Sequence, residues 1–236
     1  MSRRLAIGAV PLAAGTPRIV AAGSEREVDA LVTADGADVV ELRADLGDDP
    51  RPETLPAVVA RLRAGGRPVI LTVRSAAEGG RALDDERRAA LYVAGLPHVD
   101  AIDLEIASTA LVADIVPRAR TAGRTVILSA HVLDTTPPAA TLAPLVDRAA
   151  SLGADVTKLV TLARKPEDLQ TLIDVTLATR ARGIVTLAMG PWGPLSRIVL
   201  PAAGSLLTYG HVGAPTAPSG QLSVTEVADL VRRLYP

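Results

Sequence analysis

The chain contains no cysteine and no phenylalanine, and its 236 residues include three histidines and two lysines. Without cysteine there are no disulfides, thiolate metal sites or cysteine nucleophiles, and the chain suits a reducing cytoplasm. Three histidines argue against a multi-histidine metal site. Aromatic residues make up 2% of the chain, which leaves neither a platform for stacking bases nor an aromatic belt for a membrane interface.

The sequence also lacks a block of one charge and a long apolar run. Its formal net charge is −1, which argues against a nucleic-acid partner, and no window approaches the ~20 apolar residues that cross a bilayer. Arg3 and Arg4 precede an apolar stretch and imitate a signal peptide, but Pro11 and Pro17 interrupt that stretch. We therefore expect a cytoplasmic protein with no nucleic-acid or membrane partner.

Short runs rich in valine and isoleucine alternate with longer helical segments. The eight strand-like runs are residues 18–22, 38–43, 68–74, 99–105, 125–131, 155–161, 184–189 and 205–209. Strict alternation of strands with helices is typical of parallel βαβ units. Eight such units in about 230 residues predict a single α/β (β/α)8 TIM barrel. A doubly wound open sheet is the competing fold, and the absence of a Gly-x-Gly-x-x-Gly turn weakens it.

Local signals support the same organisation. Residues 24–27 read Ser-Glu-Arg-Glu, a capping box that opens the first helix, and Asp84 and Asp85 lie near the start of the third. Helix ends are expected at the glycines that precede the next strand, namely Gly36, Gly65, Gly123, Gly153 and Gly183. No linker divides the chain, so we expect one catalytic domain over residues 1–236. Residues 5–10 are left over as an extra strand, which we expect to cover the barrel floor.

Lys158 stands out because the chain uses arginine for 23 of its 25 basic residues, yet places this lysine in the apolar run 154–160. Arginine keeps its proton at working pH, whereas a partly buried lysine can lose it and attack a carbonyl carbon. On residue type alone, a strand-end lysine paired with Asp155 or with solvent is the commoner case. The neighbouring strands favour the catalytic interpretation.

Charged side chains gather where the strands end, which is the functional face of a barrel. They are Glu41, Arg43, Arg74, Asp103, Glu105, His131 and Lys158. Glu41 and Arg43 are two residues apart and therefore point to the same side of their strand. Charges within strands are costly to desolvate unless they are matched. Their recurrence on successive strands predicts an active site.

Ordered segments of the chain resemble a known family. Residues 41–45 read Glu-Leu-Arg-Ala-Asp, 74–80 read Arg-Ser-Ala-Ala-Glu-Gly-Gly, 103–105 read Asp-Leu-Glu, and 129–131 read Ser-Ala-His with Thr-Pro at 136–137. Residues 153–155 read Gly-Ala-Asp ahead of Lys158, 189–197 read Met-Gly-Pro-Trp-Gly-Pro-Leu-Ser-Arg, and 208–210 read Thr-Tyr-Gly. In this order and spacing they are similar to the motifs of the type I 3-dehydroquinate dehydratases.

Two segments depart from the family pattern. The family usually has an aromatic or amide residue before the histidine and Asp-Phe or Asn-Phe after it, whereas this chain has Ala130 and Val132-Leu133. Near the end the family reads Ser-Ala-Pro-Gly-Gln, and residues 216–221 read Thr-Ala-Pro-Ser-Gly-Gln. The simplest alignment makes Thr216 the substrate-binding hydroxyl and Ser219 an insertion. Ser219 in that role is the alternative.

The resemblance implies syn elimination of water from 3-dehydroquinate to give 3-dehydroshikimate, through a Schiff base on Lys158. It implies that His131 is the acid–base group and that Glu78 orients it. Arg43 and Arg197 would favour the neutral amine by like-charge repulsion, opposed by two carboxylates. The implied substrate-binding residues are Glu41, Arg43, Arg74, Asp103, Arg197, Thr216 and Gln221, with Arg197 and Gln221 on the substrate carboxylate.

The implied reaction requires no metal and no organic cofactor, and its partner is the small-molecule substrate. A homodimer is left open, as is the choice between aromatic amino acid biosynthesis by the shikimate pathway and quinate breakdown. One competing function is another lysine Schiff-base lyase, such as a class I aldolase, on the same barrel. The other is a sensor that binds quinate-like acids without turnover. His131 backed by Glu78 argues against the aldolase, and the altered neighbours of His131 are the support for the sensor.

Overall fold

Ten strands lie in the part of the chain that the computed structural model describes, residues 5–213 and 221–235. They are β1 (Ala6–Ile7), β2 (Val10–Pro11), β3 (Arg18–Gly23), β4 (Val39–Arg43), β5 (Val69–Thr72), β6 (Ala101–Glu105), β7 (Thr125–Val132), β8 (Val156–Leu162), β9 (Ile184–Met189) and β10 (Leu207–His211). The last eight form one parallel sheet in the order β10-β3-β4-β5-β6-β7-β8-β9. Its two ends meet, since the backbone N–H of Leu206 donates to the carbonyl of Ile184 at 2.9 Å. The predicted TIM barrel is therefore confirmed, and each expected strand is present.

Helices alternate with the barrel strands and cover them from outside. They are α1 (Val28–Val32), α2 (Leu55–Arg63), α3 (Asp85–Gly95), α4 (Thr109–Thr121), α5 (Ala139–Ser151), α6 (Pro166–Thr179), α7 (Gly193–Ala203) and α8 (Val224–Leu234). The predicted capping box of Ser24 and Glu27 is present, and it opens a short 3₁₀ turn that leads into α1. Asp84 caps α3 by accepting from the backbone N–H of Arg87 at 2.7 Å. Each cap satisfies backbone donors that a helix start leaves unpaired.

Apolar side chains pack on both faces of the barrel strands, as expected for parallel strands covered by helices. One cluster fills the barrel interior and includes Val20, Ile70, Val156 and Leu187. Other clusters lie between the strands and the helices. Because side chains alternate along a strand, the interior positions at the carboxyl ends of the strands are free to carry polar groups above this apolar plug.

Residues 5–12 form an antiparallel hairpin of β1 and β2 rather than a single extra strand. Ile7 is fully buried in the interior cluster. The carbonyl of Ala6 accepts from the hydroxyl of Thr125, the first residue of β7, at 2.6 Å. The hairpin thus covers the amino-terminal end of the barrel, the expected floor.

Helix α2 ends at Arg63 with Ala64 as its C-cap, so Gly65 directly follows the cap. Gly36, Gly123, Gly153 and Gly183 have positive φ angles, but in the second unit the left-handed residue is Gly66, with φ 74°, and not Gly65. Gly65 is needed for another reason, because a Cβ there would lie 2.8 Å from the carbonyl oxygen of Val32. Among the described residues, no helix has both the length and the apolar character needed to span a membrane.

Candidate active site

Lys158 projects into the barrel interior from the middle of β8. Val156 and Val160, two residues to either side, belong to the interior cluster, so the alternation along the strand places Lys158 on the same face. The residue is 4% exposed. Its partner is not Asp155, whose carboxylate accepts from the backbone N–H of Val126. The ammonium instead donates to Asp103 at 2.8 Å.

Two carboxylates and one ring surround the Lys158 nitrogen. Beyond Asp103, Glu41 Oε1 lies 3.8 Å from Nζ, and Nζ lies 4.3 Å from the centroid of the Tyr209 ring. The carboxylates expected to oppose the repulsion from Arg43 and Arg197 are therefore the nearest charges. The Tyr209 hydroxyl is buried and has no hydrogen-bond partner among residues 5–213 and 221–235.

Asp103 links Lys158 to the rest of the site. Its Oδ1 forms an ion pair with Arg74 Nη2 at 3.0 Å and accepts a hydrogen bond from the hydroxyl of Ser129 at 2.6 Å. Burial raises the pKa of Asp103, but the charges of Arg74 and Lys158 lower it more strongly, so the pKa lies well below its usual range. Asp103 is therefore a permanent anion between two cations.

Sequence reasoning missed the residues that hold Arg74 and Asp103 in place. Arg88 is 1% exposed and donates to Glu105, which also accepts from Arg74 at 3.2 Å. The hydroxyl of Tyr92, also on α3, donates to the backbone carbonyl of Asp103 at 2.6 Å. A signal was available, because residues 88, 91, 92 and 95 follow helical spacing and Arg88 therefore shares the buried face of α3.

His131 and Glu78 form a hydrogen-bonded pair at the mouth of the barrel. Glu78 Oε2 accepts from the backbone N–H of His131 at 2.9 Å and lies 2.8 Å from Nδ1. With an ionised Glu78, Nδ1 carries the proton and Nε2 is left as the base. Glu78 ends a short 3₁₀ turn (Ala76–Glu78), which Gly79 closes with φ 88°. A Cβ at Gly80 would lie 2.1 Å from the carbonyl oxygen of Arg74, so the two glycines fold this loop tightly against the site.

Burial favours the uncharged forms of both partners. Desolvation raises the pKa of Glu78 to about 7, although the charge of Arg74 acts in the opposite direction. Desolvation, together with the charges of Arg74 and Lys158, lowers the pKa of His131 well below its ordinary value. The imidazole is therefore a free base at neutral pH, as proton abstraction requires.

Glu78→Gln is expected to stabilise the fold at alkaline pH. The folded pKa of Glu78, about 7, lies above its unfolded value, so folding is penalised once the carboxyl ionises. The penalty is absent below the unfolded pKa, grows as pH rises, and is complete above the folded pKa. We expect Glu78→Gln to gain about 1–3 kcal/mol over wild type at pH 8 and nothing near pH 4.5. Urea unfolding at both pH values measures this.

Glu86→Gln on α3 is the matched control for that experiment, because it makes the same substitution at an exposed carboxylate. A Glu78→Gln variant that is less stable than wild type at pH 8 would contradict the burial penalty. Such a result would mean that the contact with His131 outweighs the cost of desolvating the carboxylate.

Arg43 lines the cleft from the end of β4, and Arg197 lines it from α7. Arg43 is held by a two-pronged pair with the buried Asp45, at 2.9 and 2.7 Å. Arg197 lies in α7 and not in a loop, is 4% exposed, and donates to the carbonyls of Ala188 and Tyr209 at 2.5 and 3.3 Å. No carboxylate forms an ion pair with Arg197 in residues 5–213 and 221–235, and burial lowers its pKa to about 10.

The predicted site residues converge on one open cleft of about 700 Å³ at the carboxyl end of the barrel. Its polar lining comprises Glu41, Arg43, Arg74, Glu78, His131, Lys158, Arg197, Tyr209 and Gln221. Asp103 reaches it through Lys158. Thr216 and Ser219 lie outside the described residues. Within the described residues, no group of three or more histidine, aspartate or glutamate side chains is arranged to hold a metal ion.

The two departures beside His131 have different surroundings. Ala130 packs against the clusters between the strands and the helices, so this substitution does not face the cleft. Leu133 lines the cleft and is 41% exposed. The change from an aromatic residue to leucine therefore alters the wall of the site beside Gly79. A Cβ placed on Gly79 would lie 3.7 Å from the Leu133 side chain.

Comparison with known proteins identifies a family. A sequence model described as type I 3-dehydroquinase matches residues 19–235. The 3-dehydroquinate dehydratase of Methanocella arvoryzae is 32% identical over 220 residues, covering 92% of this chain and 97% of that protein. The crystal structure of the type I 3-dehydroquinate dehydratase of Clostridium difficile superposes with a TM-score of 0.89 at 25% identity, covering 100% of this chain and 99% of the other. The structure of the 3-dehydroquinate dehydratase of Enterococcus faecalis gives a TM-score of 0.85 at 25% identity, covering 98% of this chain and 100% of the other.

Proposed function

The chain belongs to the type I 3-dehydroquinase family, and from this we propose that its cleft dehydrates 3-dehydroquinate to 3-dehydroshikimate through a Schiff base on Lys158. The enzyme is thus a hydro-lyase. The observation that carries the proposal is a buried lysine amine that shares one cleft with a histidine–carboxylate pair. We assign all of this chemistry to one domain over residues 1–236, in a cytoplasmic enzyme of the shikimate pathway.

The first step is attack by the free amine of Lys158 on the substrate ketone. The carbonyl carbon gains a bond to Nζ, and its oxygen leaves as water after taking one proton from Nζ and one from the solvent, which produces an iminium ion. Asp103, an anion fixed 2.8 Å from Nζ, stabilises that positive charge. The Tyr209 ring at 4.3 Å contributes through its electron-rich face. The iminium then draws electrons from the adjacent carbon and acidifies its hydrogen.

The second step is proton transfer by His131. Nε2 removes the hydrogen next to the iminium carbon, and the electron pair forms an enamine. The imidazolium then gives the proton to the hydroxyl on the following carbon, which leaves as water from the same side. Glu78, 2.8 Å from Nδ1, orients the ring throughout. Hydrolysis of the product imine returns the free Lys158 amine.

The substrate carboxylate is assigned to Arg197 with Gln221. The buried guanidinium of Arg197 donates to backbone carbonyls and has no carboxylate partner in the described part of the chain. A substrate carboxylate in the cleft would match its charge in a planar, two-pronged contact. Glu41, Arg43, Arg74 and Asp103 are proposed to fix the ring hydroxyls and the Schiff base. Thr216 stays a prediction from the sequence.

Arg197→Gln should weaken substrate binding while leaving amide donors for the neighbouring carbonyls. We expect KM to rise by about 10- to 100-fold with a smaller change in kcat, because the carboxylate is held alike in the ground and transition states. Steady-state kinetics measure both constants. Arg233→Gln, on the exposed end of α8, is the control and should match wild type. An unchanged KM in Arg197→Gln would place the carboxylate elsewhere.

The proposed activity is tested directly by the ultraviolet absorbance of the conjugated enone that appears as 3-dehydroquinate loses water. An aldolase would cleave a carbon–carbon bond without forming this enone, and a sensor would bind without any change in absorbance. Either result would overturn the proposal. Sedimentation of the purified chain separates a monomer from the homodimer left open above.

A further inference from the structure

Six side chains of alternating charge run from the surface of α3 to the reactive lysine. We call this series the charge ladder, and its members in order are Asp85, Arg88, Glu105, Arg74, Asp103 and Lys158. Neighbours contact one another at 2.7 Å for Asp85 and Arg88, 3.2 Å for Glu105 and Arg74, 3.0 Å for Arg74 and Asp103, and 2.8 Å for Asp103 and Lys158. Arg88 and Glu105 also form a direct ion pair. Every member but Asp85 is 4% exposed or less.

Glu105 is the member on which the charge balance depends. One oxygen accepts from Arg74 and from the backbone N–H of Ser75 at 2.8 Å. The other accepts from Arg88 and from the hydroxyl of Ser108 at 3.3 Å. With Arg88 in place, each oxygen of this buried carboxylate faces one cation. Without it, Glu105 would depend on Arg74 alone.

Arg74 is shared between two anions. Nη1 of Arg74 faces Glu105 and Nη2 faces Asp103. When Arg88 neutralises Glu105, the positive charge of Arg74 is left to balance Asp103. Asp103 in turn is the closest anion to Lys158. An Asp103 balanced by Arg74 binds the Lys158 ammonium less strongly and releases the proton that must leave before the amine attacks.

Arg88 is held in position independently of the carboxylates. Its Nε donates to the carbonyl of Val73 at 3.1 Å and its Nη1 to Ser108 at 3.1 Å. Tyr92, one turn along the same helix, joins Val73 to Asp103 through its hydroxyl. Burying this many charges is a poor way to gain stability, since well-packed apolar side chains of the same volume often do as well or better.

We propose that Arg88 is a positioning residue for the reaction: by neutralising Glu105 it leaves Arg74 to balance Asp103, and so allows Lys158 to lose its proton at working pH. The inference rests on the proposed function, because it concerns the same lysine. Arg88 touches neither the substrate nor the reacting atoms.

Several other groups near Lys158 also affect the charge around its amine. Glu41 approaches from β4 at 3.8 Å, and the Tyr209 ring approaches from β10. His131 from β7 acts on Asp103 through its charge when protonated. Arg43 and Arg197 line the cleft. Arg88 and Glu105 differ from these groups because neither lines the cleft, so their substitution alters the charge near Lys158 without removing a contact to the substrate.

The test is the pH dependence of adduct formation on Lys158 with 3-dehydroquinate and borohydride, followed by mass spectrometry. Arg88→Met removes a cation on the order of 10 Å from the lysine, which should move the acid side of the rate profile upward by about one pH unit. Arg88→Lys keeps the charge and should retain the wild-type profile. Arg88→Met combined with Glu105→Gln removes both charges and should return the profile close to wild type.

Glu105→Gln alone should shift the pH profile in the opposite direction, and it is the deciding variant if Arg88→Met fails to fold. Removal of this anion should move the profile to lower pH. A purely structural Arg88 would lower the rate equally at every pH, and an unmoved profile in both single variants would overturn the inference. If wild type itself forms no adduct on Lys158, the proposed function fails, which is a separate result.

Discussion

Borohydride added while the enzyme converts 3-dehydroquinate is expected to trap the substrate on Lys158 as a stable secondary amine. Reduction fixes the bond between Nζ and the former carbonyl carbon, so the intact chain gains the mass of one ligand and a peptide containing residue 158 carries it. The chemistry follows from an amine that is 4% exposed, lies in the cleft and faces a fixed anion that stabilises the iminium.

Lys158→Met should abolish the adduct and lower turnover by at least ~10⁴-fold, the scale seen when a covalent nucleophile is removed. Methionine is close to lysine in length and keeps the interior packing. The other lysine in the chain is the natural control: Lys165 is exposed just before α6, and Lys165→Met should trap substrate as wild type does. An adduct on Lys165, or its persistence in Lys158→Met, would refute the Schiff-base assignment.

His131→Ala is expected to separate adduct formation from dehydration. The Schiff base should still form, because Lys158 and its partners Asp103 and Glu41 do not depend on the imidazole. Turnover should fall by at least ~10²-fold, the usual contribution of a positioned acid–base group. Single-turnover absorbance of the enone, with mass spectrometry of the trapped species, measures the two steps separately.

The wild-type pH profile supplies a second check on His131. Burial and neighbouring cations hold its pKa well below the ordinary value, so protonation of the base should cost activity below pH 6.5 and not between 6.5 and 8. His98→Ala removes an exposed histidine and should leave the profile unchanged. Normal turnover in His131→Ala would instead require Glu78 to act as the base directly.

The sequence was sufficient to predict the barrel because its signals are local and repeated. Each strand combines a run of β-branched residues with a turn or a glycine, and interior side chains follow the period of two that places Glu41 with Arg43. The same period, together with the family motifs, predicted that Lys158, His131 and Glu78 lie at one end of the barrel. Position along the chain was enough for these residues because parallel strands all end at the same face.

Partner choice could not be predicted in the same way. Lys158 on β8 pairs with Asp103 on β6 across the intervening strand β7, and Arg88 reaches Glu105 from a helix. Both contacts depend on side-chain reach in three dimensions. The sequence named Glu41 and Asp103 as the carboxylates that oppose Arg43 and Arg197, but it could not say how close to Nζ they lie. The position of Arg197 in α7 was not evident either, since a Gly-Pro start to a helix reads equally well as a turn.

The hairpin at the amino-terminal end of the barrel has a practical consequence for handling the protein. Its contacts with Thr125 and the interior plug at Ile7 set residue 5 at the opposite end of the molecule from Lys158 and His131. An affinity tag, a fluorescent label or a solid support attached at the hairpin end is therefore expected on the face opposite the mouth of the cleft. Immobilised through that end, the enzyme would present its open mouth to the surrounding solution, which suits flow reactors and surface-based binding assays.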